Sequence, residues 1–167
     1  DFGITYLTLN TDCQELAYVL KPEEPDAPAF LKQALQQGNA VQDYLTDNFK
    51  TGRTGNETLR RAIAESKAAG LRPQIYTHPL GLYGHSAGTT FGMWDAQEGI
   101  PGSGEHPLHE NTVYAIELNA KVFLTEWDKD VRVMLEEAGY FGPDGFRYVN
   151  GRQTKLMLIG NKTRHLE

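Results

Sequence analysis

A chain of 167 residues can bury a sizeable core as one compact domain, 1–167, and its length requires no second. Hydrophobic residues at 40% and charged residues at 23% exclude disorder, a collagen-like fibre and a disulfide scaffold. A formal net charge of −6, with no cluster of Lys and Arg, argues against a nucleic-acid partner. The lone cysteine, Cys13, has no partner for a disulfide or a thiolate zinc site and reads as a small buried hydrophobe. No apolar run approaches the roughly eighteen residues of a spanning helix, so the chain reads as soluble and without a membrane partner; its compartment stays open, with a cytoplasmic one slightly favoured. It opens on Asp1, already inside a strand-like pattern, so any signal peptide would precede Asp1.

From Asp1 to Leu20 the pattern is two strands around a polar break at Asn10 and Thr11, with Ile4, Tyr6 and Leu7 before it and Leu16, Tyr18 and Val19 after; a hairpin is the simplest reading. Pro22, Pro25 and Pro28 mark a connection. From Ala27 the residues Phe30, Ala34, Val41, Leu45 and Phe49 recur at helical spacing. A turn at Gly52 to Asn56 leads into a second helix, with Asn56 as its cap, Leu59, Ile63 and Ala69 inward and Gly70 as its stop. Seven glycines between Gly81 and Gly104 then exclude regular helix. Val113–Leu118, Val131–Glu137, Phe146–Val149 and Leu156–Ile159 read as strands, with turns at Gly142 to Gly145 and Asn150 to Gly151. The order predicts an α+β fold, an antiparallel or mixed sheet carrying helices on one face.

Asp1 and Asp12 fall on the two arms of the first hairpin. Paired strands would bring the carboxylates together, where a cation would relieve their repulsion, although a surface hairpin with two acidic residues explains the spacing equally well. Tyr76-Thr77-His78-Pro79-Leu80-Gly81-Leu82-Tyr83-Gly84-His85-Ser86-Ala87-Gly88 sets two histidines among glycines and aromatic residues, fit for ligating a metal or moving a proton, or simply loop histidines. Glu117 ends an apolar strand, where a buried charge demands a partner. Glu136 and Glu137 end another, and alternation puts Glu136 on the face of Arg132 and Met134 with Glu137 opposite. Trp94 and Phe91 could wall a pocket or pack a core; His106 and His109 around Pro107, and His165 in the basic tail Asn161 to Arg164, read as surface.

In this order the motifs resemble the pita-bread metallopeptidases, the group of creatinase, prolidase and methionine aminopeptidase. Asp1-Phe2-Gly3 matches the family's Asp-x-Gly strand and Asp12 its second aspartate. His78 takes the ligand histidine's place, with Gly81 three residues on and a second histidine, His85, seven on. Thr112–Glu117 matches the strand ending in the fourth ligand. Glu136 is the preferred fifth, with Glu137 its fallback; Arg152-Gln153-Thr154-Lys155 keeps the family's arginine without a carboxylate. The resemblance implies the C-terminal half of a curved sheet with helices on one face, and two divalent metal ions (manganese, cobalt or zinc) held by Asp1, Asp12, His78, Glu117 and Glu136. It also implies catalytic roles for His85 and Glu117, substrate contacts from His85 and Trp94, and a peptide substrate, with Xaa-Pro dipeptides or peptide N-termini expected.

Departures accompany the match. Cys13-Gln14 stands where the family often has Thr-Arg, and Leu118 stands where a proline is usual. The family's first half, which supplies another substrate-site histidine, normally precedes the Asp-x-Gly strand, so the missing N-terminal portion is an implied partner, as is a second copy in a homodimer. A creatinase-like C–N hydrolase acting without metal, or a binding module that kept the fold, are the rival readings.

Overall fold

The computed structural model describes residues 1–160, and His165 and the tail Asn161 to Arg164 lie outside them. The framework is a pair of long antiparallel strands, β6 (Thr112–Leu124) and β7 (Lys129–Gly142), paired residue for residue from Thr112↔Phe141 to Leu124↔Lys129. Both run further than the apolar runs alone suggest, because the polar residues beyond those runs, Lys121 and Asp130, lie on a face where polarity costs little. β8 (Gly145–Tyr148) returns along β7 through the predicted turn, with Gly145 at φ +98. On the other side of β6 lie two short strands, β4 (Pro73–Ile75) and β5 (His78–Pro79), which the glycine-rich texture hid.

Alternation along β6 buries Tyr114, Ile116, Leu118, Ala120, Val122 and Leu124 beneath two helices, all on one face of the sheet as expected. Helix α1 (Ala29–Thr46) starts after Pro28 and lies against β6 and β7. Its Gly38 permits the approach, since a Cβ there would come within 2.8 Å of Leu135 Cδ1. Phe49, just past the helix, joins the core and stacks on Phe91 at 5.1 Å. Helix α2 (Gly55–Ala68) ends at Gly70, φ +79, as expected, but its cap is Thr54 and not Asn56. Thr54 Oγ1 accepts from the Glu57 amide at 3.1 Å and the Glu57 carboxylate accepts from the Thr54 amide at 3.0 Å, a reciprocal pair that outcompetes the next polar residue. Asn56 instead clamps the glycine-rich segment, donating to Ile100 O at 2.9 Å and accepting from Ile100 N at 2.8 Å. Ala69, expected inward, is exposed at the helix end.

The first twenty residues depart most from the expected hairpin. The reversal is at Leu7 and Thr8, both at positive φ, between β1 (Thr5–Tyr6) and β2 (Leu9–Asn10), and the paired arms continue to Phe2 opposite Cys13. Such a turn usually announces itself with Asn-Gly, and Leu-Thr does not. β3 (Ala17–Val19) pairs in parallel with β9 (Met157–Ile159), a distant partner that no local pattern identifies. Cys13 is half-buried, its thiol donating to Phe2 O at 3.5 Å. Among the described residues no helix is long and apolar enough to cross a membrane.

Gly55 opens α2 directly against the segment that carries the histidines, and a Cβ there would press into the Thr90 carbonyl and within 3.0 Å of Thr89 Cγ2. Gly55→Ala is expected to lower stability by about 1–3 kcal/mol through overpacking against backbone that cannot rotate away, read as a lower urea midpoint at unchanged slope.

Candidate metal centre

The face of the sheet turned away from the helices collects the chemistry. Glu117 on β6 and Glu136 on β7 are directly paired, so their side chains project from the same face side by side. His78 on β5 pairs with Ala115, which lies two positions before Glu117 on that face. Its Nε2 lies 3.5 Å from Glu117 Oε2, 3.9 Å from Glu136 Oε1 and 4.0 Å from Asp12 Oδ2. The first hairpin reaches the same place because Gln14 docks on the free edge of β7, its amide donating to Glu136 O at 2.9 Å. Asn10 fastens that hairpin to the histidine segment, donating from its amide to Gly81 O at 2.8 Å and from Nδ2 to Leu82 O at 2.7 Å. Asp1, drawn in by the Phe2–Cys13 bridge, lies with Asp12 and Glu136.

Three overlapping sets of donors therefore lie within metal-sharing distance: Asp12, His78 and His85; His78, Glu117 and Glu136; and Asp1, Asp12 and Glu136. Asp12, His78 and Glu136 each belong to two sets. Glu137 does not take part. It opposes Ile116 on the helix-side face, where its carboxylate accepts from the Gln153 amide at 2.6 Å. Arg152 is likewise occupied elsewhere, pairing with Asp43 at the edge of α1.

Two features of this cluster fit a cation. His78 is buried, and its Nδ1 lies 3.2 Å from Pro79 O; a carbonyl only accepts, so Nδ1 is the donor of that contact and Nε2 is the ring nitrogen left to face the cluster. That Nε2 is a buried polar atom with no hydrogen-bond partner, aimed at three carboxylates. Glu136 is 2% exposed, and burial first, then the Glu117 and Asp12 charges, push its carboxyl up to about 8. Carboxylates with one neutral imidazole suit borderline divalent ions.

His85 stands exposed at the mouth, its ring 4.1 Å from that of His78 and stacked on Tyr76 at 5.9 Å. Trp94 meets the edge of Tyr76 at 5.8 Å and so extends an aromatic wall beside the cluster. Tyr76 was not singled out from the sequence. Its spacing of two from His78 puts both on one strand face, and that was the available signal. His106 and His109 are exposed, away from this face, their main-chain carbonyls accepting from Gly55 N and Thr112 Oγ1.

No protein-family model and no curated protein sequence matches the chain. Solved structures do. An X-Pro aminopeptidase from Thermotoga maritima superposes with a TM-score of 0.66 at 19% identity, over 95% of this chain and 40% of that one. A dipeptidase from Pyrococcus horikoshii gives 0.66 at 16% over 94% and 39%, and a methionine aminopeptidase from Thermotoga maritima 0.61 at 17% over 90% and 61%. The likeness is one of fold, the α+β pita-bread fold in its C-terminal half. This chain spans about two fifths of the length of the first two of these neighbours.

The raised Glu136 carboxyl has a sign that can be checked. Folded protein without metal holds that proton more tightly than the unfolded chain, so stability is expected to fall as pH rises from about 4.5 to about 8 and then level off. Glu136→Gln, which has no charge to desolvate, is expected to make that fall in melting temperature shallower; an unchanged slope would show that the proton is held elsewhere.

Proposed function

We propose that this chain carries the metal-binding part of a metallopeptidase active site that hydrolyses a peptide bond near the N-terminus of a peptide, or within an Xaa-Pro dipeptide. Two divalent ions, manganese, cobalt or zinc, would be held by Asp1, Asp12, His78, Glu117 and Glu136. The observation that carries the reading is the unpartnered Nε2 of buried His78 turned toward Asp12, Glu117 and Glu136. Ions bound there supply a Lewis acid and a nucleophile available near neutral pH.

The rest of the chemistry belongs to side chains. Glu117, half-buried beside His78, takes the proton of the attacking water and passes it to the leaving amine. His85, at the open side of the cluster, donates to the carbonyl oxygen as charge develops there. Tyr76 holds the His85 ring by stacking, and with Trp94 forms the wall against which the substrate's first side chain rests. Asp12 and Glu136, both close enough to raise the Cys13 thiol, keep this face acidic and favour an N-terminal ammonium over a carboxylate at its mouth.

The first hairpin exposes Phe2, Ile4, Tyr6 (72%), Leu7 (77%) and Leu9, with Leu82 and Tyr83 also exposed on the segment it is fastened to. An apolar surface of this kind calls for cover. In this reading further polypeptide of the same enzyme covers it and completes the substrate side of the site, in keeping with the greater length of the structural neighbours.

Two measurements test the proposal. Calorimetric titration with manganese, cobalt and zinc is expected to show binding that His78→Ala removes; failure of all three to bind would leave the metal-free hydrolase or the binding module. In the metal-loaded protein, release of N-terminal residues from a peptide panel with proline and alanine in second place, followed by mass spectrometry, is expected to fall by about 10²–10⁴-fold in His85→Ala while metal affinity is kept.

A further inference from the structure

The same sheet face carries a second pair of like charges. Four residues along from Glu117, Lys121 on β6 directly opposes Arg132 on β7. Like charges in direct cross-strand register are destabilising. Here they form one side of a concave cavity of about 330 Å³, lined also by Lys67 from the end of α2, Leu71, Arg72 and Pro73, with Gln74, Gln97 and Asn119. Lys67, Arg72, Lys121 and Arg132 give the lining four cations and no carboxylate, in a chain whose formal net charge is −6.

Neighbouring groups neutralise only part of this charge. Asp130 lies next along the same face and binds Arg72 Nη2 at 2.6 Å and Lys121 Nζ at 3.0 Å. Arg72 is further pinned by donating from Nε to Lys121 O at 3.0 Å. Neither Lys67 nor Arg132 makes an ion pair among the described residues. The amides of the floor are committed to one another and to backbone: Asn119 Nδ2 donates to Gln74 Oε1 at 3.1 Å, Gln74 Nε2 to Trp94 O at 2.6 Å, and Gln97 Nε2 to Ile75 O at 2.8 Å. The floor is therefore polar but largely committed, and the charged groups of the lining are all cations.

We infer that this cavity is a binding site for a small oxyanion, a phosphate or carboxylate group, seated between Arg132, Lys121 and Lys67. Guanidinium and ammonium donors converging from three elements match the several acceptor oxygens of such a group, and the guanidinium fork of Arg132 can grip two of them. The site is separate from the carboxylate cluster: along an extended strand four residues are about 13 Å, with the Asn119·Met134 pair between. It stands whether or not the peptidase reading does.

The test is titration of the metal-free chain with inorganic phosphate and, separately, with succinate, followed by amide chemical shifts at low ionic strength. Saturable shifts centred on residues 67, 121 and 132 are expected. Affinity should fall about tenfold in Arg132→Gln and again in Lys67→Gln, the loss of one charge-assisted contact each, while Arg61→Gln, exposed on α2 outside the cavity, changes nothing. Tighter binding of phosphate assigns a phosphate-type ligand, and tighter binding of succinate a carboxylate; either supports the site. No saturation with either anion, or equal weakening by Arg61→Gln, overturns it. Coincident unfolding curves for the three variants exclude misfolding as the cause, and recovery of affinity in Arg132→Lys separates loss of charge from loss of shape.

Discussion

Two carboxylates, Glu117 and Glu136, stand directly opposite each other across the central pair of strands, with a buried and unpartnered histidine nitrogen between 3 and 4 Å away. Nothing in an ordinary hydrophobic fold would select this arrangement. Opposed like charges cost free energy, and a buried polar atom without a partner costs more. The structure pays for both with the core on the other side of the same strands, where Tyr114, Ile116, Leu118 and Leu135 are almost completely buried beneath α1. One ladder thus carries stability on one face and strain on the other, and each residue's face follows from its parity in the strand.

The first hairpin and the glycine-rich segment converge on that strained point. Gln14 holds the first hairpin to the edge of β7 and so brings Asp12 alongside Glu136. Asn10 ties the hairpin to the loop after His78, and Asn56 ties the end of the glycine-rich segment to α2. These are polar clamps between elements. They fix position without demanding bulk, which suits a face that must stay open. The same economy leaves the hairpin's own apolar side chains uncovered, so the part of the molecule that brings in Asp1 and Asp12 is also the part with least packing to hold it.

The face has a simple charge order. Carboxylates gather at its closed end around His78, the Asn119·Met134 pair separates, and cations follow at Lys121 and Arg132 with Asp130 beyond. The two like-charge pairs lie too far apart to neutralise one another; Asp130 answers Lys121, while Arg132 makes no ion pair among the described residues. On the readings proposed above, a divalent cation would answer the first and an oxyanion the second, by the same electrostatic reasoning.

Much of this was legible from the chain alone. Period-two alternation identified both long strands and put Glu136 and Glu137 on opposite faces, and helical spacing found α1 and α2, with the stop of α2 at Gly70. The order of Asp1, Asp12, His78, His85, Glu117 and Glu136 pointed to the fold that the solved structures share. These are local properties, since the face a side chain takes depends only on its own backbone period. Contacts between distant segments were not legible. That β3 would pair with β9, that Gln14 would dock on β7, that the hairpin would turn at Leu7–Thr8 and that Lys121 would oppose Arg132 all depend on register between strands. Register is settled by the packing of the whole sheet, so only the tertiary structure decided which charges would meet.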